Sequence, residues 1–99
     1  MIFSFHPDAE IELNSAIDYY EEVQEDLGLE FANEVYQTIY RIIEYPYAWQ
    51  LMTNHTRRCL TNRFPFGVIY QIAEDEIIII AVMHLHKRPN YWNERVEIK

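Results

Sequence analysis

"EIIIIAVMH", residues 76–84, is the stretch whose reading decides the fold. Its apolar core, Ile77 to Met83, runs without interruption. A strand with one wet face alternates apolar and polar side chains. An unbroken aliphatic run reads instead as a central strand covered on both faces. The run is also far short of the ~20 residues a membrane-spanning helix needs.

Upstream, Glu74-Asp75 is a short turn, and Phe66 to Ala73 before it is a second strand, antiparallel to the first. Gly67 inside that strand points to a bulge or a close backbone contact. Arg57 to Arg63 alternates roughly as an edge strand does, and residues 46–56 read as a loop anchored by Tyr47 and Trp49.

Further upstream the period changes to that of helices. Pro7 suits a first helical position, and Asp8, Glu10 and Glu12 suit its positive end. Ala9, Leu13, Ala16, Ile17, Tyr20, Val23 and Leu27 follow with helical spacing, and Gly28 is read as the stop. A second helix buries Phe31, Val35, Ile39, Ile42 and Ile43 and ends before Pro46. A break as short as the one at Gly28 implies an antiparallel helix hairpin. Ile2 to Phe5 is a short strand, and Pro89 to Arg95 a tail with about one helical turn.

The expected fold is therefore α+β, in the order β-α-α-β-β-β. The helix hairpin covers one face of a small, mostly antiparallel sheet. The other face is expected to be concave or partly open, with Arg57, Arg58, Arg63 and the 84–92 segment gathered towards it.

At 99 residues the chain is expected to be one domain, 1–99. So small a domain buries only roughly 60–65% of its surface, and eight Tyr, five Phe and two Trp supply the large side chains it then needs. Two Gly, four Pro and no repeat argue against a linker. The single cysteine, Cys59, excludes an internal disulfide and fits a reducing compartment. No adjacent base marks it as a nucleophile. MIFSFHP lacks the basic start and long apolar stretch of a signal peptide, so the cytoplasm is the expected location.

The formal net charge is −8, unevenly spread. Residues 1–50 hold eleven acids and one base, Arg41; residues 51–99 hold five acids and seven bases. An acidic helical half disfavours general nucleic-acid binding. Charges beyond a Debye length of about 8 Å are screened from one another, so a local basic patch can still act.

Chemistry concentrates in "AVMHLHKRPNYW", residues 81–92. His84 and His86, two apart, share a face if extended. Two histidines do not make a metal site, which needs three or four ligands. The simpler reading of His84 is a strand-end histidine whose ring nitrogen bonds to backbone. Tyr91 and Trp92 are read first as aromatics that pin the tail to the sheet. Arg57, Arg58 and Arg63 read either as solvated charges on an edge strand or as contacts to phosphate or an acidic protein surface.

Four stretches together resemble one family. They are "FHPDAEIELNSAIDYYEE", "LGLEFANEVYQTIYRIIEYP" ending at Pro46, "RRCLTNRFPFGVIYQI", and the closing "IIAVMHLHKRPNYWNER". In this order and spacing, over nearly the whole chain, they resemble the RelE/ParE superfamily of toxins of type II toxin–antitoxin systems. The closing Tyr-Trp is nearer the ParE side. One departure stands out: the Arg usual three residues after the histidine is Lys87 here, followed by Arg88. Lys keeps the charge but lacks the bidentate fork.

The resemblance implies a toxin neutralised by a cognate antitoxin, in a toxin–antitoxin hetero-oligomer, with no cofactor and no metal. On its ParE side it implies inhibition of DNA gyrase by protein–protein binding, without turnover. Candidate contacts are Arg57, Arg58, Arg63, Lys87, Arg88 and Trp92. On its RelE side it implies a ribosome-dependent, metal-independent mRNA endonuclease. There Arg58 or Arg63, with Lys87 or Arg88, would hold the phosphate, and His84 or Tyr91 would serve in proton transfer. A third reading is an inactive relative that only binds an antitoxin. The low cation count favours the first, because RNA binding is supported electrostatically.

Overall fold

The computed structural model describes residues 1–97. Its elements are β1 (Ile2–Phe5), α1 (Pro7–Val23), α2 (Leu27–Glu44), β2 (Gln50–Leu51), β3 (Arg57–Leu60), β4 (Phe66–Ala73) and β5 (Glu76–His84). A 3-10 turn at Asn93–Arg95 follows. The five strands form one sheet in the order β1-β5-β4-β3-β2. β1 lies parallel to β5, and the other pairs are antiparallel. The expected α+β fold is thus present with one strand added. β2 is two exposed residues inside the stretch expected to be a loop, and it displaces β3 from the sheet edge over Arg57 and Arg58. β3 also stops at Leu60 rather than Arg63. There the Thr61 hydroxyl and Phe64, at a φ of 71°, turn the chain back into β4.

The two helices cover one sheet face. Phe31, Val35, Ile39 and Ile42 of α2 are fully buried, together with Val68, Tyr70, Ile77 and Ile79 of the sheet. Side chains of this kind contribute about 1.5–3 kcal/mol each on burial. Gly28 does not stop α1. The break falls at Gln24–Asp26, with Asp26 in the left-handed region, and Gly28 lies in the first turn of α2. Leu27 consequently starts α2, and Val23 at the end of α1 is exposed. Both oxygens of Glu21 accept from the new helix, Oε2 from Asp26 N–H at 3.0 Å and Oε1 from Gly28 N–H at 3.0 Å. An acceptor there satisfies donors that every helix start leaves open.

The unbroken run of β5 has two causes. The register with β4 slips where Ile69 pairs Ala81 and Tyr70 pairs Ile79, so Ile80 is an extra, bulged residue. Ile77, Ile79 and Val82 join the helix-side core, while Ile80, Ala81 and Met83 join a second cluster on the opposite face. That face is not open as expected. Trp92, 0% exposed, packs on it with Ile69, and Met52 and Val96 close its margins. Gln71 of β4 then grips the tail: its Nε2 donates to the Glu97 carbonyl, and its Oε1 accepts the Glu97 N–H. Gly67 marks a close contact, since a Cβ there would stand 3.1 Å from the Arg58 Cγ and Cδ.

Candidate functional site

β1 pairs with β5 only as far as Phe5 opposite Ile79. Beyond that point the outer edge of β5 would present bare backbone, which is costly wherever water is excluded. Side chains finish the edge. Glu12 of α1 accepts the Val82 N–H at 3.0 Å, and Arg95 donates to the Ile80 carbonyl at 3.1 Å. The two also bind each other as a fork. Arg95 Nη1 meets Glu12 Oε1 at 3.0 Å, and Nη2 meets Oε2 at 3.1 Å. Their side chains are only 18% and 15% exposed. Such a pair is held by its geometry, and removing one partner strands the other's charge.

Tyr91 joins the same carboxylate, its hydroxyl donating to Glu12 Oε2 at 2.6 Å. Burial first, then the hydrogen bond and charge of Glu12, push the phenol above its ordinary value near 10, against the pull of Arg95. It therefore stays protonated and donating at neutral pH. The guanidinium of Arg95 and the ammonium of Lys87 lie 5.1 and 5.2 Å from the centre of its ring, within cation–π reach. Lys87 and Arg88 are exposed, and the Arg88 side chain has no hydrogen-bond partner among the described residues. His84 ends β5, and its Nδ1 accepts the His86 N–H at 3.1 Å. The rings of His84 and His86 meet edge to face at 5.1 Å.

The three upstream arginines each have partners of their own. Arg57 donates to the Tyr47 carbonyl at 3.0 Å and the Trp49 carbonyl at 2.8 Å, fastening the loop after α2. Arg58 faces the other way: its stem lies across Gly67 and its Nη2 reaches Gln50 at 3.0 Å. Arg63, in the β3–β4 loop, pairs with Glu30 of α2 at 2.7 Å and sits over the Phe64 ring. Trp92 is fully buried and offers no surface to a partner in this arrangement. The candidate residues that share one exposed corner are therefore His84, Lys87, Arg88 and Tyr91.

Beside that corner runs a groove of about 560 Å³ between α1 and the end of β5. Ile11, Tyr19, Tyr20 and Val82 give it an apolar floor, and Glu12 and Lys87 stand on its rim. Ile11 and Tyr19 are each 62% exposed. Among the described residues, no group of three or more His, Cys, Asp or Glu side chains is placed to share a metal ion. Nor is any helix long and apolar enough to cross a membrane.

Sequence reasoning missed Glu12, Arg95 and Gln71. For Glu12 a signal was there. It lies three residues after Ala9 and four before Ala16, on the buried side of α1, and a carboxylate on such a stripe requires a partner. Naming that partner 83 positions away required the fold.

This fold has a known counterpart. The model of the ParE toxin of the type II toxin–antitoxin system, parDE, matches residues 3–89. The chain belongs to that family. A solved structure titled "Chromosomal ParDE TA system from P. aeruginosa" superposes with a TM-score of 0.76 at 16% identity. The match covers 87% of this chain and 97% of that one. A comparison with curated protein sequences gives no match. The resemblance to the ParE side of the superfamily is thus established through the family match, and the fold through the structural one.

Proposed function

We propose that this chain is the toxin of a type II toxin–antitoxin pair that inhibits DNA gyrase by binding it, and that a cognate antitoxin neutralises it. The observation that carries the reading is the family match over residues 3–89. The corner supports a binding role over a catalytic one. The Tyr91 hydroxyl donates a hydrogen bond to Glu12, and burial holds it protonated, so it is not a poised base. The Nδ1 of His84 is occupied by backbone. Lys87 and Arg88 remain as exposed cations able to meet an acidic protein surface. Arg63 is a further exposed contact, whereas Arg57 and Arg58 act mainly within the fold.

The antitoxin fits the groove between α1 and β5. Its floor is apolar, and α1 carries Asp8, Glu10, Glu12, Asp18, Glu21 and Glu22 with no basic residue. An apolar segment flanked by Lys or Arg would complement it.

The test is supercoiling by purified gyrase. Titrated toxin should block it, and the product of an adjacent antitoxin gene should restore it. No inhibition at large molar excess, together with mRNA cuts in a translating extract, would establish the ribosome-dependent nuclease instead. Silence in both assays with tight antitoxin binding would mark an inactive relative.

A further inference from the structure

We infer that Glu12 is a positioning residue for the cationic corner, because its carboxylate holds Tyr91, which closes the 85–90 loop that carries Lys87 and Arg88 and lies against the Lys87 ammonium. The inference rests on reading that corner as the target-contacting surface. At the near end the loop leaves β5 where His84 pairs with Phe66 of β4 and Leu85 N–H donates to the Pro65 carbonyl at 2.9 Å; Glu12 Oε1 holds the same strand further back, at Val82 N–H, 3.0 Å away. At the far end, Glu12 Oε2 holds the Tyr91 hydroxyl at 2.6 Å. Arg95 bridges the two oxygens and ties in the Ile80 carbonyl. Between these anchors the chain has little freedom. Lys87 N–H closes a turn on the His84 carbonyl at 3.0 Å, and Asn90 takes a left-handed conformation at φ 63° that Asn tolerates. Tyr91 then sets Lys87, whose ammonium lies 5.2 Å from its ring centre.

The chemistry explains why a carboxylate stands here. Four donors converge on it: Val82 N–H, Tyr91 O–H and both terminal nitrogens of Arg95. Only an ionised carboxyl accepts at both oxygens. Methionine in its place keeps the length and much of the shape but is only a weak acceptor for any of the four donors. Glu12→Met therefore frees the Tyr91 hydroxyl without emptying the core.

Two measurements test this. The chain has only two lysines, Lys87 and Lys99, so lysine-labelled protein gives a readily assigned NMR spectrum. The Lys87 ε-methylene should be shifted upfield by the Tyr91 ring, and Tyr91→Leu should abolish the shift. In Glu12→Met it should move to the free-lysine position. In Ile39→Val, a core variant that weakens the fold without touching the corner, it should stay upfield. No upfield shift in the wild type, or one that survives Glu12→Met, overturns the inference. The second measurement is a cycle of Glu12→Met and Lys87→Ala on gyrase inhibition. Each single variant should need about tenfold more protein for half-inhibition, and the pair no more than either alone. Additive losses would mean that Glu12 acts through general stability, and would overturn the positioning role. A wild type that leaves gyrase untouched defeats the proposed target, while the Lys87 resonance still decides the positioning.

Discussion

At the crossing of the helix hairpin, Gly28 faces the carbonyl of Ile17 so closely that a Cβ at position 28 would stand 2.6 Å from that oxygen. The close approach lets Glu21 on α1 reach the opening turn of α2. Two effects compete on replacing Gly28 by Ala. Alanine is the better helix former by up to about 1 kcal/mol. Against it, a backbone oxygen cannot rotate aside as a side chain does, and overpacking of this kind costs about 1–3 kcal/mol. The clash should win. Gly28→Ala should lower the urea midpoint with an unchanged slope, and a variant as stable as the wild type would show that the helices are free to part.

Trp92 makes a second case in which two terms can be separated. It is fully buried on the face away from the helices, and its indole Nε1 has no hydrogen-bond partner among the described residues. Its contribution there is mainly packing. Trp92→Ala should cost about 3–5 kcal/mol. Trp92→Phe keeps most of the ring and removes only that N–H, and should cost well under half of that. Thermal melts of both variants measure the difference. Near-equal losses would reveal a partner for Nε1.

What could be read from the sequence was what repeats locally. The α2 stripe of Phe31, Val35, Ile39 and Ile42 and the aliphatic run of β5 both declared their elements. β2 did not, because two exposed residues carry no period. Gly28 was misplaced because its role is steric and is set by Ile17 on the other helix. Tyr91 and Trp92 did announce a tail pinned to the sheet, and Trp92 is buried there, but not that it covers the second face, which depends on grips by Gln71 and Glu12 from distant parts of the chain. The basic strand misled for a related reason. Arg57, Arg58 and Arg63 are close in sequence, but their partners are loop carbonyls, Gln50 and Glu30.

Alkaline pH probes the buried phenols. Tyr70 and Tyr91 are raised well above 10, in both cases first by burial, and Tyr20 is raised by burial and then by Tyr19. Each folded phenol thus keeps its proton where the unfolded one loses it. Their contribution is complete below the unfolded value near 10 and is lost as pH rises from there through the folded values. Stability should be flat in this respect up to about pH 10 and fall above it, most through the two most buried groups, Tyr70 and Tyr91. Tyr91→Phe should make the fall shallower. Urea titrations from pH 9 upward measure it, and a slope unchanged by the substitution would place the Tyr91 hydroxyl in water.

The arginines divide into those that build the fold and those free to meet a partner. Arg57 supplies charge-assisted hydrogen bonds to two loop carbonyls, so Arg57→Ala should cost about 1–3 kcal/mol. Arg63 has a short ion pair to Glu30, but both side chains are about half exposed, at 59% and 45%. Solvent and side-chain entropy hold such a pair below about 1 kcal/mol. Arg88 has no hydrogen-bond partner among the described residues to lose. Arg63→Ala and Arg88→Ala should therefore melt near the wild type and, if gyrase is the target as proposed, bind it more weakly, with the loss growing at low ionic strength, where steering by surface charge is strongest. Arg57→Ala should show the reverse, a lower melting temperature with inhibition preserved in the folded fraction. Melting curves and inhibition titrations on the same three proteins separate the two classes. An Arg88→Ala variant that inhibits as well as the wild type at low salt would remove that residue from the contact surface.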